Sequence, residues 1–430
     1  MHLLARRLPM RVAALLVVLP DIVLALSSAT NSATARPIRQ FKSNTDAILS
    51  RSDRDTATLA FSTAKLQTIA SECAVKVPGS LSYLRTWRRW SETAIDLIRD
   101  DLRDHNLPNP VDEQALIDLS YNLGQAADDG AMPSFQDEGA RAGYSVDYFC
   151  RAQLLADLLF ESRSGVGIVL EPAFWVDSVQ KNILLGLGSG STASSTHNSS
   201  YRLCSLGGGP GFDFVGLALI SSFHKQQYMR KRPQQQEHFS PSVAIPITAT
   251  ILDYERGWSP FVQAMSTSVD SVLGGSHSCV FDGCDITVPL SDPANARCAQ
   301  EVLDTDLWVC SYCVSENAVK LRQGNHVFFR DIFAHSKENS IFVFTETTHR
   351  LWPELVDVAL ETAGFDVAFP RRNGRGKSGR QLILRKRAGA TTLSAEAMEQ
   401  RVGFERDSTA HKRKIEVGFR RERRKIPGAK

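Results

Sequence analysis

A glycine-rich turn between a predicted strand and a predicted helix carries the clearest chemical signal in this 430-residue chain. The predicted strand runs from Arg202 to Leu206, and the turn after it contains Gly207, Gly208, Gly209 and Gly211. Glycine lets the backbone adopt left-handed dihedrals and leaves no Cβ between the chain and a ligand. The apolar helix that follows from Phe212 presents unpaired backbone N–H groups at the same place. The turn therefore predicts a cofactor laid across the edge of an α/β sheet.

The spacing of the glycines argues against a dinucleotide. A dinucleotide-binding turn reads G-x-G-x-x-G and is followed about 20 residues later by an acid that binds the ribose. Here the pattern is G-x-G-x-G, residue 212 is phenylalanine, and the next acid that ends a predicted strand is the distant Asp253. Taken alone, the turn is also compatible with a tight bend in an unrelated α/β protein.

The G-x-G-x-G turn resembles motif I of the class I S-adenosylmethionine-dependent methyltransferases. The resemblance implies S-adenosylmethionine as the cofactor, with Asp253 on its ribose hydroxyls. It implies Asp285 on the adenine amine; Asp285 fits this role better than Asp282 because an Ile-Thr-Val-Pro-Leu exit follows it. Trp258 either covers the adenine or is a core tryptophan. The remaining cofactor candidates are Gly207, Gly208, Gly209, Gly211, Asp213 and Ser311.

The order of the later segments supports the same fold. Apolar strand-like runs alternate with helical patterns, which is typical of βαβ units and a parallel sheet. Strands are predicted over 247–253, 278–286, 306–314, 341–346, 365–369 and 381–385. One uninterrupted helix is predicted over 319–333 and another over 351–363. The fold class is therefore α/β: a Rossmann-like methyltransferase sheet, mostly parallel with an antiparallel last strand, preceded by an N-terminal helical region.

The segment after the fourth strand is expected to face the methyl acceptor. The amino-methyltransferase signature, Asn or Asp followed by Pro-Pro and an aromatic residue, is absent there, which argues against adenine-type amine methylation. Tyr312 and Glu316 are candidates for acceptor contact, and His349 is a candidate base. The structural alternatives are a core tyrosine, a helix-capping glutamate and a surface histidine. In the helical region, Tyr144 and Tyr148 either line the acceptor pocket or pack helices together.

Composition and charge divide the chain into a targeting segment, a helical region, a connector, a cofactor-binding domain and a basic tail. Residues 1–45 resemble a signal peptide followed by a transit-like segment, which indicates an organelle, a plastid or mitochondrion; otherwise the expected compartment is cytoplasm or nucleus. The helical region is assigned to 46–185, a Gly/Ser-rich connector to 186–200, and the cofactor-binding domain to 201–388. The net charge of +3 conceals a basic tail at 389–430, which is either a solvated extension or a phosphate contact.

No metal site and no stable membrane span in the mature protein are expected. Cys310 and Cys313 form a C-x-x-C pair, but their odd spacing within a predicted strand directs them to opposite faces. No second pair of Cys or His stands beside them at ligand spacing. The N-terminal apolar stretch is too short and interrupted for a span.

Three functions remain open. The first is methylation of RNA, favoured by the basic tail; residues 252–259 resemble a segment of some ribosomal-RNA uridine methyltransferases. The second is methylation of a small metabolite or a protein side chain. The third is a catalytically silent fold that binds cofactor or partner without turnover.

Overall fold

The computed structural model describes residues 64–72, 81–129, 134–160, 200–231, 246–274, 277–347, 350–370, 381–389 and 398–406. All of them belong to one unit of the chain, Ala57–Lys430. Within these ranges, no helix has the length and apolar character that crossing a membrane requires.

Helices make up the part of the described chain before residue 200. They are α1 (64–72), α2 (Leu81–Asp101), α3 (Glu113–Asp129), α4 (Glu138–Asp147) and α5 (Cys150–Phe160). A single π turn, Leu102–Asn106, follows α2. In α2 the buried residues Trp87, Trp90, Ala94 and Ile98 recur at helical spacing and form one apolar face. The predicted N-terminal helical region is confirmed.

A seven-stranded sheet follows. Its strands are β1 (Tyr201–Leu206), β2 (Ile247–Asp253), β3 (Ser278–Gly283), β4 (Leu307–Ser311), β5 (Ile341–Thr345), β6 (Gly364–Ala368) and β7 (Gln381–Arg387). The order across the sheet is β3-β2-β1-β4-β5-β7-β6. Neighbouring strands from β3 to β5 pair parallel, whereas β7 is antiparallel to both β5 and β6. The predicted α/β sheet with an antiparallel last strand is confirmed.

Helices cover both faces of the sheet. After β1 they are α6 (Phe212–Lys231), α7 (Ser259–Leu273), α8 (Ala296–Glu301), α9 (Ala318–Gln323), α10 (Val327–His335) and α11 (Trp352–Thr362), and α12 (398–406) follows β7. In β4, Leu307 and Val309 join the core shared with α2, α5, α6 and α7, whereas Trp308 and Cys310 join the core shared with α10 and α11. Because both faces are buried, the strands read as continuous apolar runs.

Three predicted elements differ from the structure. The strand predicted over 278–286 ends at Gly283. The helix predicted over 319–333 is two helices, α9 and α10, separated at Gly324–His326, where Asn325 and His326 adopt φ of 50° and 53°. The strand predicted to continue to residue 314 ends at Ser311, because Tyr312 adopts a left-handed φ of 65°. Left-handed non-glycine residues break the regular repeat, and apolar periodicity does not reveal them.

Candidate functional site

A cleft opens at the carboxyl ends of β1, β2, β3 and β4. It encloses about 610 Å³, its solvent-open mouth included. Strand β1 has β2 on one side and β4 on the other, so the strand order reverses here. Open α/β sheets bind ligands at such a switch point. The cleft brings together eight of the predicted site residues: Gly207, Gly209, Asp253, Trp258, Asp285, Ser311, Tyr312 and Glu316.

The glycine turn forms the floor of the cleft. The N–H of Gly207, the first residue of the turn, donates a 2.7 Å hydrogen bond to the Leu252 carbonyl and so connects the turn to the end of β2. Gly207 has φ of 64°, and a Cβ there would lie 2.7 Å from the Cβ of Cys313. Gly209 has φ of 51°, and a Cβ there would meet nothing closer than 3.8 Å. A Cβ at Gly209 would therefore only touch the rings of Trp258 and Tyr144, which line the cleft beside it.

Three residues predicted to bind cofactor do not line the cleft. Gly208 and Gly211 are buried in the turn. Asp213 lies behind it, where its carboxylate accepts a 2.7 Å hydrogen bond from Ser205 Oγ and a 3.4 Å one from Ser311 Oγ. Burial raises the pKa of Asp213 to about 6. The structure thus gives Asp213 contacts that join the turn to β1 and β4.

Asp253 ends β2 and faces the cleft from beside the turn. Its Oδ2 accepts a 3.1 Å hydrogen bond from the Gly209 N–H, and its Oδ1 accepts a 3.0 Å one from the Glu255 N–H. The side chain is 6% exposed, and burial raises the pKa of its carboxyl group to about 6. A carboxylate offers about four acceptor positions, so lone pairs remain for a ligand hydroxyl.

The loop after β3 carries Asp285 to the cleft. Its Oδ1 accepts hydrogen bonds from the N–H and Oγ1 of Thr287, at 2.8 and 2.7 Å. Asp282 instead accepts from the adjacent Gly283 N–H and does not line the cleft. Trp258 is 1% exposed; its ring lies on the cleft wall and packs against Phe135, with centroids 5.3 Å apart. The tryptophan therefore serves as both core and wall.

The other end of the cleft is formed by the loop after β4. Tyr312 and Glu316 line it, and the Glu316 carboxylate accepts no hydrogen bond from any described residue. Burial, together with the nearby Glu346, raises the pKa of Glu316 to about 8. His349, the third predicted catalytic residue, lies outside the described residues.

Glu346 holds this loop in place and was not singled out by the sequence. It is fully buried and accepts hydrogen bonds from the N–H groups of Val314 and Ser315, at 2.7 and 3.0 Å, and from Ser315 Oγ. Burial raises the pKa of Glu346 to about 7. Its position directly after β5 was the only available signal, because its partners lie far away in sequence.

The C-x-x-C pair differs from its prediction. Cys310 and Cys313 do not face opposite sides: their Sγ atoms lie 2.9 Å apart. The turn at Tyr312 brings Cys313 back over the end of β4, and both side chains are buried. Among the described residues, no three His, Cys, Asp or Glu side chains gather as a metal ion would require.

The N-terminal region supplies the roof of the cleft through Phe135, which precedes α4, Tyr144 of α4 and Arg151 of α5. The Arg151 guanidinium lies over three tyrosine rings, 4.3 Å from the centroid of Tyr312, 5.0 Å from Tyr144 and 5.4 Å from Tyr148. Tyr144 lines the cleft and also contacts Phe212 of α6, with ring centroids 6.0 Å apart, whereas Tyr148 stacks on Tyr144 at 4.4 Å and does not line the cleft. Arg151 was missed, because nothing in its sequence neighbourhood distinguishes it from other helix-surface arginines.

The strand order and the antiparallel β7 are those of the class I S-adenosylmethionine-dependent methyltransferase fold, so the fold is the one that the glycine turn predicted. No protein-family model matches the sequence, and no curated protein matches it.

Several solved methyltransferase structures are similar to this chain. A predicted O-methyltransferase from Agrobacterium tumefaciens is 12% identical, with 46% of this chain and 79% of that one covered and a TM-score of 0.30. A SAM-dependent methyltransferase from Methanosarcina mazei is 11% identical, with coverage of 44% and 94% and a TM-score of 0.30. The N-methyltransferase NodS from Bradyrhizobium japonicum is 12% identical, with coverage of 50% and 97% and a TM-score of 0.24.

Proposed function

We propose that this protein is an S-adenosylmethionine-dependent methyltransferase. The observation that carries the proposal is the convergence of Gly209, Asp253 and Asp285 at the ends of three neighbouring strands, around one cleft. Asp253 keeps lone pairs for ribose hydroxyls, and Gly209, which lines the cleft without a side chain, lets a ligand approach the backbone. The residues present therefore fit an adenosyl cofactor.

The charge of the cleft also fits this cofactor. Asp253, Asp285 and Glu316 line it, and Arg151 is the one basic side chain on the lining formed by described residues. S-adenosylmethionine carries a sulfonium and an ammonium group against a single carboxylate. Burial raises the pKa of Asp253 and Glu316 in the unliganded protein, and the two cationic groups of the cofactor favour the ionised forms of these carboxyl groups.

When bound, the cofactor supplies a methyl group activated by the positive sulfur. The part of this chain is to orient the acceptor and exclude water, since in-line displacement depends chiefly on placement. Glu316 accepts the acceptor's proton at a carboxylate oxygen, because that carboxylate accepts no hydrogen bond from the described part of the chain. Glu346 keeps Glu316 in place by fixing the loop that carries it.

For the acceptor we propose RNA, on the strength of the basic tail at 389–430. The tail is attached through α12, where the Phe404 ring contacts Phe369 at 5.0 Å and Arg401 pairs with Asp357. A truncation after residue 406 therefore removes basic residues and leaves these contacts intact. The truncated protein should bind RNA more weakly, with a smaller salt dependence. Unchanged RNA affinity would contradict the RNA proposal.

Transfer of a labelled methyl group tests the function directly. The full chain is incubated with methyl-tritiated cofactor and separate fractions of RNA, protein and small metabolites. Label in RNA is the expected result, and label in either other fraction supports the second class of acceptor. Cofactor binding without transfer to any fraction contradicts catalysis and favours the silent binding fold.

A further inference from the structure

The second residue of α5, Arg151, presents an uncommitted cation to the cleft. Its guanidinium rests on the rings of Tyr144, Tyr148 and Tyr312, yet it donates no hydrogen bond to, and forms no ion pair with, any described residue. A guanidinium has five N–H donors and remains charged at all physiological pH values. The three rings hold the group in place through cation–π contacts, and its N–H donors have no acceptor within the described ranges. An anion from outside the chain can satisfy them.

The strand order indicates which part of the cofactor lies near this arginine. Asp285 follows β3, Asp253 ends β2, the glycine turn follows β1 and Tyr312 follows β4, and these four strands are neighbours in that order. With the adenine at Asp285 and the ribose at Asp253, the amino-acid end of the cofactor extends past β1 toward β4. Arg151 lies at that end, over the ring of Tyr312.

The charged side chains around Arg151 indicate which group of the cofactor's amino-acid end binds to it. Arg151 interacts electrostatically with Glu316, Glu346 and Asp213, each of which is buried enough that its pKa is raised. Glu316, the one of these three acids that lines the cleft, favours a cationic group of a ligand when its carboxyl group is ionised. A carboxylate entering the same region has Arg151 as its one basic partner on the lining formed by described residues.

We propose that Arg151 binds the α-carboxylate of S-adenosylmethionine, so that the N-terminal helical region completes the cofactor site. The assignment rests on the proposed function and names the part of the cofactor that the helical region recognises. Bidentate pairing of guanidinium with carboxylate is the strongest hydrogen-bonding arrangement available to either group.

Calorimetry on the full chain, with S-adenosylmethionine and its decarboxylated analogue, tests this assignment. The analogue keeps the sulfonium and the amine but lacks the carboxylate. The wild type should bind the intact cofactor roughly ten- to hundred-fold more tightly, the range expected for a hydrogen bond between charged groups. In Arg151→Gln this ratio should fall to about one, and in Arg151→Lys to an intermediate value. Arg297→Gln, which removes an arginine from a surface ion pair with Glu301, should keep the wild-type ratio.

Each ratio compares two ligands on the same variant, so a partial loss of folded protein does not mimic the effect. Equal binding of both ligands by the wild type, or a wild-type ratio in Arg151→Gln, would overturn the assignment. Wild type that binds neither ligand would instead refute the proposed function, and the assignment with it.

Discussion

The Gly209 N–H donates a 3.1 Å hydrogen bond to Oδ2 of Asp253, which links the turn after β1 to the end of β2. Two features predicted separately from the sequence, a glycine turn and a distant acid, are therefore one structural unit. The bond orients the Asp253 carboxylate while leaving it acceptor capacity on the cleft side.

Replacing Asp253 should weaken cofactor binding. In Asp253→Asn the side chain keeps its size but loses its charge and half its acceptor capacity, so we expect at least roughly ten-fold weaker binding of S-adenosylmethionine by calorimetry. Asp282→Asn is the matched control, because that residue lies one position before the end of β3 and does not line the cleft. Equal affinity of the two variants would contradict the role of Asp253.

Glu316 should set the pH dependence of methyl transfer. Its pKa is raised to about 8, and only the ionised form can accept a proton, so kcat/KM should increase with pH up to about 8 and then level off. Glu316→Gln should lower kcat by roughly a hundred-fold, the usual contribution of a general base, and abolish this pH step. If Glu316→Gln keeps the wild-type dependence of kcat/KM on pH, a group other than Glu316 accepts the proton.

Four buried acids in and beside the cleft should make the unliganded protein less stable at higher pH. Burial raises the pKa of Asp253 and Asp213 to about 6, of Glu346 to about 7 and of Glu316 to about 8. The folded state therefore binds more protons than the unfolded state between about pH 4 and pH 8, and the free energy of unfolding falls as pH rises through that window.

Urea unfolding at pH 5 and pH 8 measures this dependence. Glu316→Gln should raise the free energy of unfolding at pH 8 by roughly 1–3 kcal/mol relative to wild type, because it removes a buried charge. The two proteins should be closely similar at pH 5, where the wild-type carboxyl group is protonated. Destabilisation of the variant at pH 8 would be the opposite of what the burial of Glu316 predicts.

Gly207→Ala should destabilise the fold more than the same change at Gly274. The two glycines have similar φ angles, 64° and 58°, but a Cβ at Gly207 would lie 2.7 Å from Cys313 Cβ, whereas one at Gly274 would meet no atom within 4 Å. Gly274→Ala reports left-handed strain alone, of about 1 kcal/mol. Gly207→Ala adds the collision, so we expect a total loss of roughly 2–4 kcal/mol in chemical denaturation. Equal losses would mean that the Cys313 loop moves freely.

Strand β2 and the segment after β4 differ in how well their sequences predict their structures. The bounds of β2 agree with the prediction, because a run of buried apolar residues that ends in an acid is a local signal. The prediction for the segment after β4 was wrong, because the left-handed turn at Tyr312 ends the strand and brings Cys313 onto Cys310. A single left-handed φ changes the direction of the chain and of the side chains that follow, and the apolar periodicity of the sequence does not reveal it.

The sequence by itself determined the order of strands and helices, the glycine turn and the acids that follow successive strands. These features depend on apolar periodicity and on residues close together in the chain. Only the tertiary structure decided that Arg151 reaches Tyr312 and that Glu346 holds the N–H groups of Val314 and Ser315. Those contacts join residues far apart in the chain, and they exist only because the packed sheet and helices bring them to one edge.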